Sequence, residues 1–392
     1  MQLPLKRRLP AAILTALLIC VFSGLSGCVT HSEDVPTLTA ILDEKSAVRF
    51  IPPGISDKEG WAEDIVAAIR MIEKDPTIER VCAVVAVIRQ ESGFQKDPAV
   101  SNLPKIVRDG LNEKFSSLGP LASPAVSALL SGSAPGSKES FESRINKLRT
   151  EKDLDRMFRD IEAAYRGKLP GTFAVAGAIS FLLGKGSLRD LNPVTTAGSM
   201  QVKVSFAQEQ KGNSELSDAD VREQLYTRAG GIRYGTARLL GYSASYDDII
   251  YRFADYNAGL FASRNAAVQN MLSDLTAFSL TEDGDLLSYD SDGDVSAQET
   301  QSLKALLSFA STHDYSAWTA KRDARKEKSI EFEETTTWKE LRAAWEKKKG
   351  KVPAYAKLPN VELNSPKLRK TRSTEWFAKS VKKHYLECRA RE

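Results

Sequence analysis

Apolar residues in this chain recur at helical spacing, and almost nowhere do they alternate as they would along a half-buried strand. Trp61, Ile65, Ile69 and Ile72 mark one run. After Lys74-Asp75-Pro76 a second run places Val81, Val84, Val85 and Ile88 on one face, so two packed helices are expected. Further helical patterns lie around 201–210, 228–240, 246–257 and 259–275. With 42% hydrophobic residues over 392 positions the chain can build a sizeable core, which excludes a disordered or collagen-like class. The predicted fold class is mainly α.

The N-terminus reads as an export signal: Lys6, Arg7 and Arg8 precede an apolar run from Ala11 to Phe22 that is too short to span a bilayer comfortably. Leu25-Ser26-Gly27-Cys28 then resembles the bacterial lipobox, which makes Cys28 the expected lipidation site. Val29, not Asp, follows it, and in sorted lipoproteins that implies anchoring in the outer membrane, facing the periplasm. The expected organisation is a signal at 1–27, a tether at 28–56, a main domain at 57–278 and a C-terminal extension or subdomain at 279–392. A region of short amphipathic stretches broken by Gly, Pro and Ser forms an insertion at about 102–192. Whether the C-terminal part is a subdomain or a helical wrap is open at this stage.

Charge is nearly balanced, 55 basic against 51 acidic residues, which argues against a dedicated nucleic-acid binder. The C-terminal fifth is rich in Lys and Arg and holds Trp318, Trp338, Trp345 and Trp376. Such a tail could meet anionic phospholipid or an acidic peptide, or be a solvated helical face. Once Cys20 leaves with the signal and Cys28 takes lipid, Cys82 and Cys388 remain. An oxidising compartment permits a disulfide between them, and burial of Cys82 as a small hydrophobe is the alternative.

Cleaving a glycosidic bond needs a carboxylic acid that stays protonated near neutral pH, which means burial against apolar groups. Glu91 lies three residues past Ile88 and seven past Val84, so it extends the apolar stripe of its helix. Desolvation there is expected to raise its pKa.

Three ordered segments surround this residue in the sequence: Gln90-Glu91-Ser92-Gly93-Phe94, Ala197-Gly198-Ser199-Met200-Gln201-Val202 and Phe253-Ala254-Asp255-Tyr256-Asn257-Ala258-Gly259. They resemble the Glu-Ser, Gly-x-Met-Gln and Tyr-Asn-Ala-Gly motifs of soluble lytic transglycosylases, relatives of goose-type lysozyme. Gly230-Gly231-Ile232-Arg233-Tyr234-Gly235 resembles that family's intervening helix. The resemblance covers about 61–275. The chain as a whole, including its ending Trp376-Phe377-Ala378, is similar to a family of uncharacterised proteobacterial lipoproteins.

The resemblance implies a lysozyme-like domain that cuts peptidoglycan glycan strands, with Glu91 as the catalytic group. It places Ser92, Met200, Gln201, Tyr234, Tyr256 and Asn257 at the substrate. Ser92 could bond Glu91 or the glycan, Met200 could wall a sugar ring, and Gln201 could read an acetamido group as donor and acceptor. Asp255 lies off the apolar face of its helix, near Arg252 and Asp248, so it is expected in a surface ion pair and not as a second catalytic carboxylate. Glu91 would then act first as acid and afterwards as base. The sequence departs from the family in two ways: about a hundred residues separate the first two motifs, and Ser199 stands where Leu is usual. A hydrolytic muramidase and a non-catalytic peptidoglycan-binding scaffold, with a cell-envelope protein as partner, are the alternatives.

Other chemistries find little footing. Three histidines occur without metal spacing, so neither a metal nor an organic cofactor is expected. Asp290, Asp292 and Asp294 alternate as in a calcium loop, but Val295 stands at the turn glycine and Gln301 at the closing glutamate, which favours a plain polar turn.

Overall fold

The computed structural model describes residues 40–184, 188–210, 212–213, 215–290, 294–363 and 372–392. The signal at 1–27 and Cys28 lie outside them. Helix α1 (Lys58–Met71) starts where the Asp57 side chain accepts from the Gly60 N–H, and α2 (Ile78–Glu91) where Thr77 accepts from the Arg80 N–H. Every residue of α2 from Val81 to Ile88 is buried. A helix apolar on all sides belongs in the middle of a protein. Here α1, α9 (Arg228–Leu240) and α15 (Thr374–Arg389) pack around it.

The described chain is mainly helical and its apolar residues form three clusters. The first gathers residues from Leu42 to Phe94, from Ala197 to Ala254 and from Phe377 to Cys388. The second runs from Leu103 to Val194 and belongs to the insertion: α3 (Leu103–Phe115), α4 (Ala122–Ser131), α5 (Phe141–Ile145), α6 (Glu151–Ala164) and α7 (Phe173–Leu183). The third is built from α11 (Ala262–Leu275), α12 (Gln301–Ser311), α13 (Ala317–Ala324) and α14 (Thr336–Lys349). Helices α8 (Asp218–Leu225) and α10 (Ile250–Ala258) complete the first body.

This partition differs from the divisions expected at 28–56, 57–278 and 279–392. Leu42, Ala47, Phe50 and Ile51 are buried in the first cluster, so the folded body begins well before residue 57. Helix α11 sides with the third cluster through Val268, Met271 and Leu272. The final helix returns to the first, burying Phe377, Ala378, Val381 and Tyr385. A Cys82–Cys388 disulfide bolts it to the central helix across 306 residues of sequence, with the two Cα atoms 5.5 Å apart. The C-terminal region is thus a small helical cluster followed by a wrap.

Buried charge joins the insertion to the first body. Asp155 on α6 is fully buried and pairs with Arg222 on α8 at 2.7 Å, while Asn192 donates to the same carboxylate. Beside it, Arg156 and Arg159 both grip Glu223, and these guanidiniums hold its pKa down at about 2.

Strands are few and short. Thr196–Ala197 (β1) pairs antiparallel with Val202–Lys203 (β2), Thr196 opposite Lys203, around a tight Gly198–Gln201 turn. Gly198 has φ +80°, and a Cβ there would sit 2.3 Å from the Leu225 carbonyl oxygen, so only glycine lets the turn approach α8. A second pair joins Glu362–Leu363 (β3) to Arg372–Ser373 (β4) and delivers the chain to α15.

Candidate active site

A cleft of about 1190 Å³ opens where the three motif segments meet. Gln90 and Glu91 at the end of α2 form one side and Gln201, Val202 and Lys203 of the hairpin another, with Arg238, Tyr256 and Asn257 completing the first body's share. Residues from Pro98 into the insertion's first helix at Glu113 supply a further wall together with Glu151, and the C-terminal segment adds Glu362, Arg372, Trp376 and Phe377.

Glu91 is the last residue of α2 and is half-buried. The turn after it is unusual: Gly93 and Phe94 both have positive φ, +60° and +66°. A left-handed aromatic residue is costly and persists only where its surroundings fix it. Phe94 is buried edge-on against Trp61, ring centroids 5.1 Å apart, and that contact secures the turn that carries Glu91. Ser92 donates to the Ile88 carbonyl and accepts from the Gln95 N–H. It is buried and is not among the residues lining the cleft, and its hydrogen bonds close the helix in place of the cleft contact expected of it.

Tyr256 donates its hydroxyl to the Met200 carbonyl at 2.7 Å, which locks the third motif onto the second. Burial, reinforced by the nearby Glu91 carboxylate, pushes the phenol well above its ordinary pKa, so it stays a donor. The Gln201 amide is held on both sides: its oxygen accepts from Thr196 Oγ1 at 3.0 Å and its nitrogen donates to Glu151 at 3.1 Å. Asn257 accepts from Thr374 Oγ1 at the start of α15.

Two further expected contacts, after Ser92, are corrected. Met200 is fully buried and offers no wall to a sugar ring. Its sulfur fills the space over Gly235, where a Cβ would lie 2.3 Å away. Tyr234 is also in the core, its hydroxyl donating to Gln224 and accepting from Asn213, away from the cleft. The expectation for Asp255 is corrected too: it is fully buried and makes no surface ion pair. It accepts from the Tyr242 and Tyr246 hydroxyls and from the Phe261 and Ser263 N–H groups. Burial raises its pKa against the pull of those donors, and its carboxylate fastens α10 to α11.

The cleft also holds residues that the motif reading passed over. Glu151, 4% exposed, opens α6 and brings a buried carboxylate from the insertion, in addition to Asp109 and Glu113 of α3. Lys203 and Arg238 bring cations: burial lowers the pKa of each, and Arg238 lowers Lys203 further by repulsion. The Arg372 guanidinium stacks 3.6 Å over the Trp376 ring at the other end. No local pattern marks Glu151 as a cleft residue, since only the packing of the insertion brings it there. Asp290 and Asp294 close a hydrogen-bonded turn, and Asp292 lies outside the described residues.

Fold and cleft together define a mainly helical protein whose candidate site is assembled from three distant segments under an inserted helical wall. Residues 54–391 match the family described as Protein of unknown function (DUF1615), and the chain belongs to that family. It is 34% identical over 383 residues to the uncharacterized protein YaiW of Escherichia coli (strain K12), covering 97% of this chain and 98% of that one. No solved structure matches the chain.

Proposed function

We propose that this protein is a peptidoglycan lytic transglycosylase of the bacterial envelope. It cleaves the β-1,4 bond between N-acetylmuramic acid and N-acetylglucosamine and leaves a 1,6-anhydromuramoyl end. The observation that carries this reading is convergence: Glu91, Gln201 and the pair Tyr256-Asn257 come from three distant segments and line one cleft. Glu91, as the acid, protonates the leaving glycosidic oxygen as the bond to C1 breaks. As a carboxylate it then takes the proton of the C6 hydroxyl, and that oxygen closes on C1. Asp255 is sequestered, so it cannot share this work. Neither metal nor organic cofactor takes part, and the glycan strand is the partner. The lipobox-like segment supports anchoring through lipid on Cys28 at the outer membrane, facing the periplasm, and the Cys82–Cys388 disulfide fits an oxidising compartment.

A second reading draws on Glu151. A carboxylate from the insertion that lines the same cleft could act as the base of a hydrolytic muramidase, which leaves a reducing sugar end. Mass spectrometry of muropeptides released from purified sacculi by the chain starting after Cys28, beside its Glu91→Gln variant, separates the outcomes. Anhydro products formed only by the unaltered protein support the transglycosylase, and reducing ends support the hydrolase. Well-folded protein that binds sacculi and releases nothing moves the reading to a binding scaffold.

A further inference from the structure

Helix α7 of the insertion carries the two most exposed of the chain's large apolar side chains among the described residues, Phe173 at 96% and Phe181 at 82%. Its sequence, Phe-Ala-Val-Ala-Gly-Ala-Ile-Ser-Phe-Leu-Leu, contains no charged residue. One face does ordinary work: Val175 and Ile179 are buried in the insertion's cluster, where α7 packs on α4. The opposite face bears Phe173, Gly177 and Phe181 at positions i, i+4 and i+8, and all three are exposed. Two aromatic rings held in water on one rigid face form a patch of the kind that marks a contact surface.

The surrounding charge says what the surface fits. Between Glu162 and Asp190 the chain carries Arg166, Lys168, Lys185 and Arg189 and no acidic residue. Arg166 and Lys168 are exposed just before α7; Lys185 lies outside the described residues. An apolar stripe preceded in the chain by exposed cations is complementary to an acyl layer under anionic headgroups. A second copy of the chain fits poorly, because a two-fold contact would set the same cations against each other. At 11 residues α7 is roughly 16 Å long, far short of the ~30 Å hydrocarbon core, so it would lie in the plane of the interface.

We infer that the exposed face of α7, with Arg166 and Lys168 in the turn before it, is a membrane-docking surface for the headgroup region of an anionic phospholipid bilayer. It is separate from any lipid at the N-terminus and from the cleft, and it does not depend on the proposed reaction.

Co-sedimentation tests it with residues 40–392, which form one compact unit containing all three apolar clusters. The vesicles are phosphatidylcholine alone and phosphatidylcholine with phosphatidylglycerol. Binding is expected to the anionic vesicles, to weaken with added salt, and to fall roughly tenfold or more in the Phe173→Ser/Phe181→Ser variant. Arg166→Glu with Lys168→Glu should weaken it too, and a Phe173→Trp variant should shift its emission to the blue on binding. Circular dichroism and thermal unfolding check that each variant is folded. Absence of vesicle binding by folded protein overturns the inference, as does binding indifferent to the serine changes. So does a concentration-dependent dimer that the serine changes abolish, which would assign the face to a second copy.

Discussion

Helices α2 and α10 end alike, each in a turn with positive φ beside an acidic side chain, yet their carboxylates live in different surroundings. After α2 the turn passes through Gly93 and Phe94, and Glu91 stands half-buried on the cleft wall. After α10 it passes through Gly259 and Phe261, at φ +143° and +59°, and Asp255 is fully buried beneath two tyrosine hydroxyls and two backbone N–H groups. Four donors converge on one carboxylate only where the fold needs it as a fastening. The cleft side of the comparison keeps its acid at a face that a substrate can reach. The two turns therefore carry different work: Asp255 is architecture at the second, while the proposed chemistry rests on Glu91 at the first.

The sharpest way to break this comparison is to exchange the consequences. Glu91→Gln should cut muropeptide release by about 10²–10⁴-fold, the range for losing a general acid, while thermal unfolding stays close to that of the unaltered protein. Asp255→Ala should do the reverse, leaving buried donors unsatisfied and costing about 3–5 kcal/mol of stability in denaturant unfolding. If Asp255→Ala unfolds like the unaltered protein, the fastening role fails. If Glu91→Gln retains full release, the catalytic assignment fails.

Next in size is the bolt behind the cleft. Removing the disulfide with Cys388→Ser should cost roughly 2–5 kcal/mol, read as a lower denaturant midpoint that reducing agent imposes on the unaltered chain but not on the variant. Because α15 also holds Asn257 through Thr374, loosening its far end should raise KM before it lowers kcat. Equal unfolding with and without reductant would show that the wrap is held by apolar packing alone.

How much of this could be read beforehand differs from residue to residue. The central position of α2 is written in Val81-Cys82-Ala83-Val84-Val85-Ala86-Val87-Ile88, a run too apolar for a surface helix. Gly, Pro and Ser breaks set the insertion apart as a block, but nothing local says that Glu151 will face Gln201 across fifty residues. The resemblance places Met200 and Tyr234 at the substrate, but a motif's residue types do not say which of them the packing buries. The close approach of the hairpin to α9, allowed by Gly235, is what buries Met200. The face of α10 that Asp255 occupies is covered by α11, an interface that helical periodicity within α10 cannot report.

A third carboxylate sharpens the contrast at the smallest scale. Glu327, in the third cluster, accepts from the Leu286 and Leu287 N–H groups, the Tyr289 hydroxyl and the Asn265 amide, much as Asp255 is held. Burial raises its pKa from 4.5 to about 7, despite the pull of Lys328 and those donors. A folded-state pKa above the unfolded one means that the group's contribution is fully present below about pH 4.5 and is lost as pH rises through about 7. Thermal midpoints measured across that window should therefore fall with rising pH more steeply in the unaltered chain than in Glu327→Gln, which keeps the shape and cannot ionise. Identical slopes would mean that the hydrogen bonds outweigh desolvation, and that Glu327 is ionised throughout as a settled acceptor.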